Sequence, residues 1–389
     1  MGFSDEFNAL CDEASELSEL AEVERDVSSN IYKKAKELGL FRMFLPQAIG
    51  GLKQSLPQWL EIVESLAFAD GSVGWIVAHG SVSSAIVHTS SSEDFRRYFF
   101  NENNFTLAWS NMAGHDAPRS KNGIQVDSHW RWVTGSTHAD FVGGSVRVTR
   151  PEETDKPIIR SVLVPRQDAK IDPVWNVMGL AGSGSHDVIV KNKMVSHDHL
   201  IRWPRAIDST TLGKTGDNVL QSSPWSVFAT GVWPFSICCA ATQLGIAQRA
   251  LSEAQSLLQT RKSRVTGELY IQQTSVMHDL EVSEAKYLMC RSAFKSAITA
   301  VWETVVSGTH PSGQKLREVR LMSVLTTRVC REIVQQTFDL AGTQGIAKTS
   351  IFQKLYRDVS CLTSHVTVNS DSLSVTGKYK HTDGECKWL

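Results

Sequence analysis

The stretch Asp172–Val190, DPVWNVMGLAGSGSHDVIV, decides how the rest of the chain is read. Trp175 stands ahead of a Gly-rich turn, and the alternating run Asp187-Val188-Ile189-Val190 follows it, so the segment reads as a turn feeding a strand. Gly179, Gly182 and Gly184 permit positive φ and close backbone approach. The hydroxyls of Ser183 and Ser185, with several backbone N–H groups, crowd the same turn, as they would around an anion or a ring carbonyl. A Gly/Ser turn between strands is more often only a turn. Its weight comes from what flanks it.

Around that turn the chain alternates at strand spacing, from Phe105 to about Trp203. Lys121-Asn122-Gly123 is a hairpin signal. Trp130 to Thr134 alternates and breaks at Gly135, while Phe141–Thr149 and Ile158–Val164 read as strands flanking the polar loop RPEETDKP. Helical period holds on either side. Ser4 to Leu38 carries Phe7, Leu10, Ala14, Leu17, Leu20 and Val23 at helical spacing, with Ser29 capping a second helix that stops at Gly39. Pro46, Gly50 and Gly51 make an irregular crossing. Helical segments follow from Gln58 to Phe68, from Ala69 through His88, and from Glu93 to Phe100. Arg202–Ser223 reads as a linker. Beyond it, Ile237–Lys262, Ile271–Ser307, Gln314–Leu340 and Ile351–Thr376 predict a bundle of four long helices. The expected fold class is α+β in three domains. These are an N-terminal helical domain (1–104), a middle antiparallel β domain (105–212) and a C-terminal four-helix bundle (213–389).

With 389 residues the chain exceeds one ordinary core, and 41% hydrophobic with 21% charged residues is a globular composition. A net charge of −1 gives no basic field for nucleic acid. The seven cysteines are scattered without metal-type spacing, which predicts reduced thiols in a cytoplasmic protein and no metal site. The acidic start MGFSDEFNALCDEASE has no apolar signal core, and no apolar run reaches membrane-spanning length. No GxGxxG joins a strand to a helix, so no nicotinamide site is expected.

Four motifs stand in order along the chain. They are GLFRMFLPQAIGGL followed by GSVGW, WRWVTGSTHAD from Trp130, WNVMGLAGSGSHDV from Trp175, and AGTQGIAKTSIFQKLYRDVSCLTSH ending at His365. With them the chain resembles the acyl-CoA dehydrogenase fold from Gly39 to His365. More closely it resembles the flavin-dependent monooxygenase branch, the oxygenase components of two-component systems that hydroxylate phenols, indoles, thiophenes or amino-sugar nitrogens. One departure is Ala181, where the family usually has Arg.

The resemblance implies a choice between two chemistries. A dehydrogenase needs a carboxylate base. The positions where the family carries it fall at Lys348-Thr349 and around His365-Val366, and Ala341 to Asn369 contains only Asp358. The resemblance therefore implies an oxygenase using reduced FAD, with FMN as the alternative. A separate reductase would supply the flavin, and O₂ would react through a C4a-hydroperoxide shielded from water. It assigns Ser110, Trp132, Val133, Thr134, Ser183, Ser185, Arg261, Gln272 and Gly342 to the flavin. Trp75, His79 and Trp109 go to the substrate, and His365 becomes the catalytic group, an imidazole base near neutral pKa. Other readings stay open. His365 also suits a histidine inside the bundle, His79 a satisfied core residue, and Trp132 a core residue. Arg264 competes with Arg261. His138 and His186 read as structural, and Arg357-Asp358 as a structural ion pair. A homotetramer is expected, because in this fold one subunit's bundle completes its neighbour's flavin site. The rival functions are an acyl-CoA dehydrogenase with a relocated base, an amino-sugar N-oxygenase, and a helical scaffold without flavin. Substrate choice is expected in the loops Met112–Lys121 and Arg202–Ser223.

Overall fold

A computed structural model describes residues 4–100, 105–149, 158–202, 224–229 and 231–381. The loop RPEETDKP, nearly all of the linker and the domain boundaries at 104 and 212 lie outside the described residues. The chain forms two compact units that cut across sequence order. One holds residues 1–55, 76–176 and 181–231, and the other holds 56–75, 177–180 and 232–389.

In the first unit the N-terminal helical stretch is three helices, α1 (Asp5–Glu16), α2 (Ser18–Glu24) and α3 (Ser29–Glu37). The first expected helix is broken at Leu17, and Arg25, at a left-handed φ of 58°, ends α2 ahead of the second. The cap of α3 is Ser28, not Ser29, because the Ser28 hydroxyl accepts from Ile31 N–H at 3.2 Å. Gly39 ends that helix at φ 73°, as a C-terminal glycine should. Two further helices are α4 (Leu56–Ala69), which belongs to the second unit, and α5 (Gly71–Ser90). The α5 N-terminus is capped by Asp70, whose Oδ1 accepts from Ser72 and Val73 N–H at 2.8 and 3.0 Å. Helix α6 (Glu93–Phe99) follows.

The sheet of the first unit has six strands, β1 (Leu107–Ser120), β2 (Gly123–Val133), β3 (Phe141–Thr149), β4 (Ile158–Pro165), β5 (Lys170–Asp172) and β6 (His186–Val195). Their spatial order is β4-β3-β1-β2-β6-β5. The Lys121-Asn122 turn joins β1 and β2 as an antiparallel hairpin, with Ser120 opposite Gly123. The sheet is mixed rather than antiparallel throughout. The chain leaving β2 crosses to the far side of β1, so β3 runs parallel to β1 from the Leu107–Phe141 pair onward. Its core is aliphatic around Trp130, with Val133, Val142, Val146, Val162, Val188 and Val190.

The second unit holds α4 and the bundle helices α7 (Trp233–Thr260), α8 (Thr274–Val306) and α9 (Gly313–Ala341). Arg291 of α8 forks onto Glu64 of α4 at 2.9 and 2.6 Å. The expected fourth long helix is two shorter ones, α10 (Ile351–Thr363) and α11 (Ser370–His381). The β-branched run Val366-Thr367-Val368 and local side-chain hydrogen bonds break it. His365 Nδ1 accepts from Thr367 N–H at 3.4 Å, and Asn369 Oδ1 accepts from Asp371 N–H at 3.1 Å. His365 therefore sits in a turn between helices. Among the described residues no helix is long and apolar enough to cross a membrane, and no group of side chains is placed to hold a metal.

Candidate active site

In the first unit, the Gly/Ser turn folds against the residues that follow β2. Thr134 Oγ1 meets Ser185 Oγ at 3.0 Å, and Ser185 Oγ meets Ser183 Oγ at 2.9 Å, a chain of three buried hydroxyls. Gly135 N–H donates to Ser183 O at 3.1 Å. Of the three glycines only Gly184 needs its positive φ, 53°, and a side chain there would strike Asp26. Asp26 bridges to Ser183 and pairs with His138 at 3.3 Å. Burial opposes charge on His138, but the Asp26 carboxylate and the Val27 carbonyl prevail and raise its pKa. His138 and His186, read as structural, both have local partners. His186 Nδ1 accepts from Trp175 N–H at 3.2 Å.

Trp132 is not a core residue, since its side chain stays 52% exposed. Simple alternation fails here because Arg131 and Trp132 together face one residue of β6, between the pairs Trp130–Val188 and Val133–His186. At this bulge Trp132 takes a φ of 58°, a region costly for a bulky side chain. Asp187 holds it there, accepting the Trp132 N–H at 3.1 Å while its other oxygen meets His129 Nε2 at 2.7 Å. Arg131 lies over the indole at 4.7 Å, and Trp175 meets it edge-on at 6.5 Å. Val133 is wholly buried in the sheet core, and Trp109 and Ser110 are buried where β1 pairs with Gly143 and Gly144. His79, half-buried on α5, has Nδ1 3.4 Å from Ser83 Oγ. An exposed indole beside a buried row of hydroxyls suits a planar ring with polar edges.

In the second unit, His365 and Trp75 meet edge to face, 5.4 Å between ring centres. His365 Nδ1 lies 2.8 Å from Thr367 Oγ1 and accepts the Thr367 N–H at 3.4 Å. A nitrogen that accepts from a backbone N–H carries no proton, so the neutral ring holds its proton on Nε2. Burial lowers the His365 pKa to about 4. That lies below the near-neutral value expected of this residue. Above that pH the ring is a neutral hydrogen-bond donor at Nε2. Behind it, Thr367 Oγ1 also meets Cys239 Sγ at 3.8 Å.

Asp358 does not pair with Arg357. Adjacent residues on a helix point about 100° apart. Asp358 Oδ2 instead meets Lys354 Nζ at 3.0 Å, one turn back, and Lys354 also reaches Asp70 Oδ2 at 3.0 Å. Asp358 Oδ1 accepts the Leu180 N–H at 2.6 Å, and Arg357 Nη1 donates to Met178 O at 2.5 Å. Gly179 runs so close that a Cβ would overlap the Arg357 carbonyl. This cluster was not anticipated from the sequence, where Lys354 and Asp358 at i,i+4 were the available signal and Asp70 lies 284 residues away. The residues expected to reach a neighbouring flavin are engaged locally. Arg261 Nη1 donates to Leu340 O and Ala341 O at 3.3 and 2.8 Å, lies 4.4 Å over the Tyr270 ring, and stands against Gly342, whose φ is 57°. Gln272 ends the short turn Tyr270–Gln272.

Residues 3–102 match the model of the acyl-CoA dehydrogenase N-terminal domain and residues 237–370 that of the acyl-CoA dehydrogenase C-terminal domain, together more than half of the chain. An indole-3-acetate monooxygenase of Acinetobacter baumannii is 25% identical over 380 residues, covering 96% of this chain and 92% of its own. The oxygenase component of p-hydroxyphenylacetate 3-hydroxylase from the same species is 23% identical over 361 residues, covering 91% and 82%. Among solved structures, XiaF from Streptomyces sp., in complex with FADH₂ and glycerol, superposes with a TM-score of 0.87 at 17% identity over 97% of this chain and 94% of its own. TdsC from Paenibacillus sp. A11-2, with FMN and indole, gives 0.83 at 17% identity over 99% and 98%.

Proposed function

Because the chain belongs to the acyl-CoA dehydrogenase family, in its flavin-dependent monooxygenase branch, we propose that it is the oxygenase component of a two-component system that hydroxylates a small aromatic substrate at carbon or nitrogen. The observation that carries this reading is the state of the carboxylates. Asp358, alone among Asp and Glu between Ala341 and Asn369, is 2% exposed and held by Lys354 and the Leu180 N–H. Asp70 shares that lysine, and Glu64 is forked by Arg291. None of the three is free to take an α-proton from an acyl thioester.

The reduced flavin, FAD in this reading with FMN as the alternative, supplies the activation of O₂. The chain's residues do the rest. Trp132, Thr134, Ser183 and Ser185 would hold the flavin, with Ser110 and Val133 beside them. Arg261, Gln272 and Gly342 would meet the flavin of a neighbouring copy in a homotetramer, and there Arg261 would exchange its carbonyl partners for phosphate oxygens. Trp75, Trp109 and His79 would wall the substrate and exclude water. His365 would donate from Nε2 to the substrate oxygen or nitrogen and fix its orientation. The reductase is a separate chain, and the cytoplasm is the expected compartment.

The test mixes the protein with chemically reduced FAD or FMN, O₂ and indole or indole-3-acetate. Hydroxylated product carrying one atom from ¹⁸O₂ is the expected result. Stoichiometric H₂O₂ without product, for every aromatic probe, refutes it. Anaerobic bleaching of oxidised flavin by acyl-CoA would install the dehydrogenase instead.

A further inference from the structure

Outside every residue assigned above, the second unit has an open cleft of about 440 Å³. It is lined by Arg328, Arg331, Glu332 and Gln335 of α9, Thr363 at the end of α10, Val368 and Asn369 ahead of α11, and Ser370 at its start. The α9 residues follow each other at i, i+3, i+4 and i+7, so one helix face supplies them all. Two are already engaged. Glu332 pairs with Lys286 at 3.1 Å, and the Gln335 amide donates to Asp339 at 2.9 Å. Arg328 and Arg331 are different, for neither guanidinium has a hydrogen-bond or ion-pair partner among the described residues. With Glu332 offset by Lys286, the cleft keeps two positive charges.

We propose that this cleft is a binding site for a phosphate-bearing small molecule. Guanidinium groups match phosphate oxygens in pairs, and a phosphomonoester dianion or a diphosphate carries the two charges that the arginines leave open. Side chains three residues apart on a helix stand about 5–6 Å apart at Cβ, close enough to converge on one phosphate or to bracket two. Thr363, Asn369 and Ser370 add polar side chains to the lining. The volume leaves room for an organic portion. The site shares no residue with the proposed flavin and substrate groups, so it stands or falls independently of the monooxygenase reading.

The experiment is calorimetric titration of the full-length chain with inorganic pyrophosphate at low ionic strength. One saturable site per chain is expected, weakening as salt is raised. Arg328→Gln and Arg331→Gln should each weaken it by roughly ten- to a hundredfold, the loss of a charge-assisted hydrogen bond, whereas Arg331→Lys should weaken it less, keeping the charge but not the paired hydrogen bonds. Arg331 is exposed and Arg328 half-buried, so these variants should unfold at the wild-type temperature. Parallel titrations with FMN and riboflavin identify the source of the phosphate. An FMN advantage erased in the double variant points to the flavin's own phosphate. An advantage untouched there, with pyrophosphate binding lost, points to a free organic phosphate. No saturable binding at millimolar pyrophosphate overturns the proposal, as does undiminished binding by the double variant. Light scattering supplies a third refutation: a double variant that dissociates, from a wild type that binds no pyrophosphate, would mean that a second copy fills the cleft.

Discussion

Replacing Lys354 by Met should cost the fold about 3–5 kcal/mol at pH 8, the penalty for stranding buried charge. The lysine is 8% exposed, and its ammonium stands 3.0 Å from each of two carboxylates that are 2% exposed. Met fills much the same volume but leaves Asp70 and Asp358 facing one another without a cation. The α5 N-terminus and the Leu180 N–H, which stay among their partners, soften that repulsion without neutralising it. Burial already pushes the Asp358 carboxyl above its usual range, against the pull of Lys354 and Leu180. Without the lysine it should rise further. A carboxyl whose folded pKa lies above its unfolded value favours the fold at low pH and loses that contribution as pH rises through the folded pKa. The deficit of Lys354→Met should therefore shrink on acidification. Urea unfolding followed by circular dichroism across pH 5–8 measures it. Adding Asp70→Asn and Asp358→Asn should recover most of the loss, since Asn still caps α5. A deficit of about 1 kcal/mol or less at pH 8, the worth of a solvent-exposed pair, would refute the reasoning.

His365→Ala should lower hydroxylated product by about 10²-fold, at the low end for a positioned proton-transfer or donor group. Flavin affinity should hold and O₂ consumption should divert to H₂O₂; full hydroxylation would remove His365 from the site. Thr367→Val removes the hydroxyl at Nδ1 but keeps the backbone N–H, and a drop in coupling between O₂ use and product is the expected outcome, with unchanged coupling showing that the hydroxyl does not help to position the ring. Trp132→Ala should weaken reduced-flavin binding while leaving the melting temperature within a few degrees, because half the side chain is already in water; the opposite pattern would make Trp132 a packing residue. Acid should destabilise the chain as its buried neutral histidines charge. Burial depresses His365 to about 4, and burial with the nearby Arg96 does the same to His88. Their contribution is complete above the unfolded pKa near 6.5 and is lost as pH falls toward 4, roughly 1–3 kcal/mol for each. Chemical denaturation at pH 7 and pH 4.5 on wild type and His365→Gln would show a smaller acid loss in the variant.

What the sequence disclosed depended on how local the cause was. Gly39, the Lys121-Asn122 turn and the strand Phe141–Thr149 were readable because a turn or a short period sets them. The parallel β1–β3 pair was not, since nothing within either strand names its partner. The bulge at Arg131-Trp132 escaped because strict alternation assigns one residue to each face, and Asp187, which holds the bulge, lies 55 positions on. The break after Ser364 was hidden by apolar spacing that continues from α10 into α11, while the deciding bonds belong to His365 and Asn369. Within the site, residue types were visible but their protonation was not. The sequence offered an imidazole, and only its turn and its burial make that imidazole a neutral donor.

The left-handed backbone at Trp132 has a consequence for laboratory evolution. At φ 58° glycine or asparagine would sit more comfortably than tryptophan, and the exposed indole recovers little by packing. A library screened only for heat resistance should therefore enrich Gly or Asn at position 132, whereas one screened for turnover should keep Trp. Sequencing the survivors of both screens would reveal whether thermal fitness and catalytic fitness pull this one codon in opposite directions.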